Sequence, residues 1–468
     1  MSVENTHFGA ARIGEWLKQC KSVYFIGIGG INMSSLAHIT HSMGYITGGS
    51  DRTETELTRR LEERGITVNY THSRENARGY DAFVYTVAIS PDNPEYTYAM
   101  ENGLPCISRA DYLGYIMTHY KRRVGIAGMH GKSTCTSMCA EILIECGADP
   151  TVLSGAELPA MNGAYCVGGG DSFVFEACEY MDSFLDFNPT VAAVLNIEMD
   201  HVDYFSSLSQ IKRSFASYAA LTGEDGWAVY NADDKNVEEA LESYRGHRLT
   251  FGINNRSARM RAENITCSRG RYSFDIIYEG NFFCHADLMV TGYHNIYNAL
   301  AAAACCMLCG VPAEDISGGL GGFCGACRRM EYKGCIGGAD VYDDYGHHPT
   351  EINATLSGAR GLAEGRLFCV YQPHTYSRTA ALLDEFSQAF GACDRVIFAD
   401  IYAAREINTF GVSSALLAER VGDKARFADS FEKIAHILKS ELREDDVAII
   451  MGAGDIYKVF EYLDFEDQ

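Results

Sequence analysis

Features that this sequence lacks already narrow its class. No apolar run reaches the length of about 18 residues that a membrane-spanning helix requires. The N-terminus has no basic start followed by a long apolar stretch, so we expect no secretory signal. Lysine and arginine (39) are few beside aspartate and glutamate (62), and the formal net charge is −23. This charge argues against nucleic acid and anionic membranes as partners, and we expect a cytoplasmic protein.

The length and the cysteine content set the next limits. A chain of 468 residues, 47% of them hydrophobic, has room for two to four domains with full cores. Its 17 cysteines are expected to be reduced and mostly buried. The pairs Cys306/Cys309 and Cys324/Cys327 resemble zinc-ribbon spacing. The first pair continues an alanine-rich helix that we expect from Asn298 onward, so we favour packing residues, with a zinc site as the alternative.

The most informative segment is a short apolar strand, a glycine loop and the start of a helix. The loop reads Gly128-Met129-His130-Gly131-Lys132-Ser133-Thr134. Backbone N–H groups in such a loop converge on one point, and the helix N-terminus adds partial positive charge there. Lys132 would then reach the β- and γ-phosphates of ATP, and Ser133 would ligate Mg²⁺. The alternative is an ordinary strand-to-helix turn with a surface lysine.

A second glycine turn lies near the N-terminus. It follows an apolar strand and is close to a dinucleotide-binding fingerprint, with Gly29 and Gly30 in the turn and Asn32 at the third glycine position. Asp51 follows the next strand, where an acidic side chain can meet a ribose. Any nucleotide diphosphate suits such a turn, and a plain βα turn is the alternative. Further short strands predict a small parallel α/β domain over residues 1–120.

Polar residues also follow the strands behind the P-loop. Glu176 ends one strand and His201 closely follows another, so both are expected at the carboxyl edge of the sheet, where ligands bind. We expect them to meet the P-loop at a phosphate–metal centre; a solvated acid and a helix cap are the alternatives. Asn295 and Asn298 share one helix face and suit the edge of adenine, unless they cap that helix.

The rest of the chain predicts a third domain. The glycine-dense segment 318–325 is interpreted as the linker into it. Strands and helices alternate again after the linker, and polar loops follow successive strands. We therefore expect a central domain over residues 121–327 and a C-terminal domain over residues 328–468.

Taken together, the motifs resemble those of a known family over nearly the whole chain. They are Gly27-Ile-Gly-Gly30, Gly128–Thr134, Glu176-Ala-Cys-Glu179, Asn196-Ile-Glu-Met-Asp-His201, Gly292-Tyr-His-Asn295, Arg328-Arg329, Asp343–Glu351, Gln372-Pro-His374 with Arg378, and Gly452-Ala-Gly-Asp455. In this order they are similar to the ATP-dependent Mur ligases of bacterial peptidoglycan synthesis, and most similar to the branch that adds L-alanine. The resemblance implies α/β domains: a Rossmann-like first domain for the UDP-sugar, a central P-loop ATPase domain with a mostly parallel sheet, and a Rossmann-like last domain for the amino acid.

The resemblance also implies roles for single residues. Lys132 would hold the phosphates, Ser133 and Glu176 one Mg²⁺, and His201 a second. Further residues are implied in three groups: the P-loop, Asn295 and Arg329 for ATP; Gly29, Gly30, Asn32 and Asp51 for the UDP-sugar; and Tyr345, His347, His348 and Arg378 for the closing face, with His347 and Arg378 counted among the catalytic residues. Departures from the family pattern occur at Asn32, Met129, Cys178, Cys327 and Met330.

The implied reaction is the ligation of L-alanine to UDP-N-acetylmuramate through an acyl phosphate, with small molecules as partners and a monomer or homodimer as the assembly. A ligase that adds a tripeptide to the same sugar is the nearest alternative. An NAD-dependent oxidoreductase and a non-catalytic UDP-sugar or ATP sensor belong to other classes. The P-loop argues against the oxidoreductase, and the full set Lys132, Ser133, Glu176 and His201 argues against the sensor.

Overall fold

A computed structural model describes residues 3–201, 204–404 and 406–466. The first two residues of the predicted first domain and the last two of the predicted third domain therefore lie outside the described residues. Within the described ranges the chain forms a five-stranded, a ten-stranded and a six-stranded sheet. The predicted three-domain α/β architecture is confirmed.

The first sheet is parallel and covered on both faces. Its strands are β1 (Ser22–Ile26), β2 (Ile46–Ser50), β3 (Thr67–Asn69), β4 (Ala82–Tyr85) and β5 (Cys106–Ser108), in the order β3-β2-β1-β4-β5. Its helices are α1 (Ala10–Leu17), α2 (Ile31–Ser42), α3 (Glu56–Glu63), α4 (Arg74–Ala77), α5 (Pro94–Glu101) and α6 (Arg109–Met117). All of β1 is buried: Val23 and Phe25 join one core cluster, and Tyr24 and Ile26 join another. Apolar side chains on both faces of a strand are typical of a sheet between two helical layers.

The central domain contains the largest sheet. Its strands are β6 (Arg122–Ala127), β7 (Thr151–Leu158), β8 (Gly163–Cys166), β9 (Ser172–Glu176), β10 (Val191–Val194), β11 (Trp227–Asn231), β12 (His247–Gly252), β13 (Met260–Ser268), β14 (Arg271–Tyr278) and β15 (Asn281–Thr291). The order is β15-β14-β13-β12-β11-β10-β6-β9-β7-β8, antiparallel only at β13-β14-β15 and at β7-β8. Its helices are α7 (Lys132–Glu145), α8 (Leu208–Ala220), α9 (Lys235–Leu241), α10 (His294–Leu308) and α11 (Ala313–Gly322), with 3₁₀ turns at Pro159–Met161 and Tyr180–Asp186. The carboxyl ends of β6, β9 and β10, which are neighbours in the sheet, bring the predicted site motifs to one edge.

The predicted glycine linker is wrong. Most of segment 318–325 belongs to helix α11, inside the central domain. An added Cβ at Gly319 would lie 2.5 Å from the Cα of Ile142 in α7, so only glycine lets the two helices approach this closely. The glycines serve helix packing here, and composition alone does not distinguish that use from a flexible linker.

The third sheet repeats the layered pattern. Its strands are β16 (Glu331–Ile336), β17 (Ala339–Asp344), β18 (Leu367–Tyr371), β19 (Arg395–Phe398), β20 (Ala425–Phe427) and β21 (Val447–Met451), in the order β16-β17-β21-β18-β19-β20. Its helices are α12 (Pro349–Ala359), α13 (Tyr376–Ala381), α14 (Leu383–Gln388), α15 (Ser414–Val421) and α16 (Phe431–Glu441), with a 3₁₀ turn at Ile456–Tyr462. Only the β16–β17 pair is antiparallel. Among the described residues no helix is both long enough and apolar enough to cross a membrane.

Candidate active site between the central and C-terminal domains

The P-loop connects β6 to α7 with two glycines at positive φ. Gly128 has φ 149° and Gly131 has φ 84°, the latter as the left-handed residue that precedes α7. No side chain caps this helix, so the amides of its first turn have no side-chain acceptor. Such a helix N-terminus is a ready anion site. The side chain of Met129 is buried in the core, so its contribution to the loop is through its backbone.

Lys132 folds back over its own loop. Its Nζ donates to the carbonyl oxygen of Met129 at 3.2 Å and lies 3.1 Å from a carboxylate oxygen of the fully buried Glu179. Burial alone would lower the pKa of Lys132, but Glu179, Cys178 and Glu176 raise it well above its ordinary value. The lysine is therefore a permanent cation beside the phosphate cradle.

Glu179 also holds His201. His201 Nε2 lies 3.1 Å from Glu179 Oε1, and His201 adopts a left-handed backbone with φ 48°. Burial would raise the pKa of Glu179, but Lys132 and His201 lower it, so the group is a carboxylate. The sequence interpretation assigned no role to Glu179, although it ends the quoted Glu176-Ala-Cys-Glu179 motif.

Ser133 and Glu176 meet as the strand-end argument predicted. Ser133 Oγ donates to Glu176 Oε2 at 2.7 Å, and the backbone N–H of Gly155 donates to the same oxygen at 2.9 Å. Arg329 of the C-terminal domain reaches Ser133 Oγ at 3.4 Å. A hydroxyl and a carboxylate are oxygen ligands of the kind that Mg²⁺ prefers, so this pair fits the predicted metal. His201 pairs with Glu179, which in turn contacts Lys132, the residue before Ser133.

A cavity of about 340 Å³ opens beside the loop, between the central and C-terminal domains. His130, Gly131, Thr134, Asn295, Asn298 and Arg329 all line it. Asn298 Nδ2 donates to Asn295 Oδ1 at 2.9 Å, and Asn295 Nδ2 donates to the Thr291 carbonyl at 2.7 Å. Helix α10 begins at His294, so neither asparagine is its N-cap and that alternative is excluded. The volume lies in the range of cofactor pockets.

The predicted closing face contributes an ion pair across the two domains. Arg378 Nη2 donates to Asp200 Oδ1 at 3.2 Å, and Asp200 directly precedes His201. Burial would raise the pKa of Asp200, but Arg378 and His201 hold it well below its ordinary value. Sequence reasoning assigned no role to Asp200, because a contact between domains leaves no spacing signal within either one.

Tyr345 and His347 lie on the same face. The guanidinium of Arg329 lies 5.2 Å from the centre of the Tyr345 ring, within cation–π range. Burial lowers the pKa of His347 to about 4, with Glu351 opposing the shift and Arg378 adding to it. His347 is therefore neutral at physiological pH.

His348 lies between the start of helix α12 and the P-loop. It is the N-cap of α12, where its Nδ1 accepts from the backbone N–H of Thr350 at 3.3 Å. Its ring centre is 4.9 Å from that of His130 in the P-loop. His348 therefore faces the P-loop across the domain junction, where the charge of Asp200, the partner of Arg378, also acts on it.

The glycine turn of the first domain is arranged around Asp51. Asp51 Oδ2 accepts from the backbone N–H of Gly29 at 2.9 Å, so this acid braces the turn. Gly30 is the N-cap residue of α2, makes no side-chain cap, and is exposed together with Asn32. The open helix N-terminus leaves room for an anionic group.

The fold and the site together define a class: an α/β enzyme with a P-loop that handles ATP phosphates at a domain junction. Comparison with family models narrows the class. "Mur ligase family, catalytic domain" matches residues 22–121, "Mur ligase middle domain" residues 126–306, and "Mur ligase, glutamate ligase domain" residues 328–454. The chain belongs to the Mur ligase family, whose members are ATP-dependent ligases.

Individual relatives are similar to this chain over nearly its whole length. A UDP-N-acetylmuramate–L-alanine ligase of Caldanaerobacter subterraneus is 45% identical over 95% of this chain and 97% of its own. One from Clostridium novyi is 44% identical over 94% and 96%. The crystal structure of the UDP-N-acetylmuramate-alanine ligase from Thermotoga maritima superposes with a TM-score of 0.77 at 27% identity, covering 94% of this chain and 98% of that one.

Proposed function

We propose that this ligase joins L-alanine to UDP-N-acetylmuramate at the expense of ATP, through an acyl phosphate. The observation that carries the proposal is the convergence of Lys132, Ser133 and Glu176 at a P-loop that faces Arg378 across a domain junction. The names of the relatives at 44–45% identity supply the substrates. A murein peptide ligase from Psychrobacter arcticus superposes less well, with a TM-score of 0.67 at 23% identity.

The first step is the transfer of a phosphoryl group. A carboxylate oxygen of the sugar attacks the γ-phosphorus, the bond to the β,γ-bridging oxygen breaks, and ADP leaves. Lys132 supplies fixed positive charge next to the transferred group, and Glu179 keeps its ammonium in place. Ser133 and Glu176 would hold Mg²⁺, with His201 proposed for a second ion; bound Mg²⁺ neutralises phosphate charge and lowers the repulsion between the two anions.

The second step forms the amide. The amine of the amino acid attacks the acyl carbon, the C–O bond to phosphate breaks, and inorganic phosphate leaves. His347 Nδ1 lies 3.3 Å from the Tyr345 carbonyl oxygen, which favours a proton on Nδ1 and leaves Nε2 to accept the proton that the attacking amine loses. Arg378 is the cation that we assign to the amino-acid carboxylate.

The shape of the site supports closure during the reaction. Arg329–Ser133 and Arg378–Asp200 connect the C-terminal domain to the central domain beside the P-loop. Closure excludes water, which would otherwise hydrolyse the acyl phosphate. We further propose that the enzyme works in the cytoplasm, where ATP and nucleotide sugars are available, as a monomer or homodimer without nucleic-acid partners.

Release of ADP with UDP-N-acetylmuramate tests the proposal. We expect turnover with L-alanine, weaker turnover with glycine or L-serine, and none with the tripeptide L-alanyl-γ-D-glutamyl-meso-diaminopimelate. The control reaction without an amino acid separates ligation from ATP hydrolysis. Preference for the tripeptide would replace the proposal with the sister activity, and absence of ADP release with every acceptor would favour a sensor.

A further inference from the structure

A second cluster of metal-binding side chains lies at the domain junction. His130 comes from the P-loop, Glu198 from the loop after β10, and His348 from the start of α12. One ligand atom from each lies within 4.8 Å of the others, and this is the only such histidine, cysteine or carboxylate trio found in the described part of the chain. Two imidazoles and a carboxylate from two domains therefore converge on one point.

Of the three residues His348 is buried, whereas His130 and Glu198 are partly exposed. His348 is 5% exposed, and its Nε2 has no hydrogen-bond partner; for Nε2 to bind an ion, the ring proton must move to Nδ1 and the contact with the Thr350 N–H must open. His130 Nε2 and Glu198 Oε1 face each other directly as a close ion pair. Buried polar atoms without partners are costly unless another group binds them.

A fourth residue orients the central imidazole. Glu351 Oε1 lies 3.1 Å from His130 Nδ1, on the side of the ring opposite Glu198. A carboxylate behind a histidine whose other nitrogen faces a ligand is the usual second layer of a metal site, because it fixes the tautomer and raises the basicity of the ligating nitrogen. A bound ion would replace the present contact between His130 Nε2 and Glu198 Oε1 and would use both atoms as ligands.

We propose that His130, Glu198 and His348 form a binding site for a divalent transition-metal ion, best matched by Zn²⁺. Two histidines and one glutamate are a known zinc ligand set, with a fourth position left open. Mg²⁺ prefers oxygen ligands, so this site is chemically distinct from the Ser133–Glu176 pair.

Two consequences follow from the position of the site. Because its ligands come from two domains, the ion binds the closed arrangement and holds it closed. Because His130 and Glu198 also line the nucleotide cavity, the bound ion changes nucleotide affinity. The ion must also displace a proton from His130. Burial would lower the pKa of His130, but Glu351 and Glu198 raise it to about 10.

Titration of the metal-free full-length protein with Co²⁺, followed by visible absorption and then by Zn²⁺ competition, tests the site. We expect one tight Co²⁺ ion per chain with a tetrahedral or five-coordinate spectrum that lacks thiolate charge-transfer bands. Glu198→Gln and His348→Asn should each abolish this tight binding; asparagine at position 348 keeps a side chain able to cap α12. Glu351→Gln should weaken it about 10–100-fold, as for other outer-layer partners.

Three variants serve as controls. His436→Gln removes an exposed histidine of α16, Cys324→Ser removes an exposed thiol, and Glu176→Gln removes the proposed Mg²⁺ ligand. None should change the tight binding of one Co²⁺ ion per chain. Unchanged binding in both Glu198→Gln and His348→Asn would overturn the proposal, as would a thiolate spectrum that disappears in Cys324→Ser. Circular dichroism of each variant shows whether it is folded.

Small-angle scattering tests the consequence for the domains. Zn²⁺ should make the wild-type protein more compact and should leave His348→Asn unchanged. Equal compaction in both proteins would show that the ion acts elsewhere and would refute the assignment.

Discussion

The two ends of helix α7 offer a matched test of the P-loop. Gly131 precedes the helix with φ 84°, and Gly147 follows it with φ 71°. Alanine in this left-handed region costs roughly 1–2 kcal/mol relative to glycine, so Gly131→Ala and Gly147→Ala should lose similar stability from the backbone alone. Any larger effect at Gly131 must come from its surroundings.

The atoms around Gly131 and Gly147 differ. An added Cβ at Gly131 would lie 2.5 Å from Asn298 Oδ1. An added Cβ at Gly147 would have open space around it, with no atom of the described residues beyond its chain neighbours within 4 Å. Asn298 is buried and donates to Asn295, so it cannot move away without losing a hydrogen bond of about 1 kcal/mol. Both asparagines line the cavity that we propose for the nucleotide. We expect Gly131→Ala to weaken ATP binding about tenfold or more, equivalent to about 1.4 kcal/mol, and Gly147→Ala to leave it unchanged.

Thermal unfolding and the affinity for ATP separate the two effects. Both variants should melt at a lower temperature than wild type, and only Gly131→Ala should bind ATP more weakly. The substitution Asn298→Ala removes the contact between the new Cβ at position 131 and the Asn298 side chain. It should therefore weaken ATP binding less in the Gly131→Ala background than in the wild-type background. Equal ATP affinities of the two glycine variants would refute the predicted contact with Asn298. Additive effects of the substitutions at positions 131 and 298 on ATP affinity would refute it as well.

Three further predictions concern charged or titratable groups, two at the site and one beside Arg328 in the C-terminal domain. Lys132→Ala should reduce the rate of ADP release about a hundredfold or more in steady-state assays, because it removes the cation beside the phosphates; activity like that of wild type would exclude the P-loop role. His201→Ala should raise the Mg²⁺ concentration for half-maximal rate with little change in ATP binding, and superimposable Mg²⁺ titrations would rule out a metal role for His201. Burial raises the pKa of Asp343 to about 6, although Arg328 opposes the shift. The folded state therefore holds this proton more tightly than the unfolded chain does, and it loses stability as the pH rises from about 4 through 6. Asp343→Asn should therefore gain in melting temperature relative to wild type more at pH 7.5 than at pH 4.5; an equal difference at both would refute the shift.

Much of the site was predictable because parallel strands impose a common edge. Ser133 follows β6, and Glu176 ends β9, its neighbour in the sheet. Their hydrogen bond is thus a direct product of topology that the motif order already implied. The same reasoning placed His201 at that edge, but it could not show that the histidine contacts Glu179.

Other features depend on packing that no local pattern encodes. Gly319 lies in a helix because it packs against the backbone of Ile142, which is distant in sequence, and the glycine-rich composition suggested a linker instead. Glu179 follows the end of β9 by a short irregular segment, and spacing alone does not show that its carboxylate turns under Lys132. Asp200 and Arg378 belong to different domains, so their pairing depends on how the domains meet.

The contacts between domains connect closure to chemistry. Arg329 touches Ser133, which bonds to Glu176, and Arg378 pairs with Asp200, the residue before His201. The C-terminal domain therefore contacts one proposed metal ligand, Ser133, directly and pairs with the residue next to the other, His201. An amino-acid carboxylate that binds Arg378 competes with Asp200 for the guanidinium, so arrival of the acceptor changes the charge beside His201. If the acceptor binds at Arg378 as proposed, its binding is coupled to the electrostatics of the phosphate site, and this coupling requires both domains.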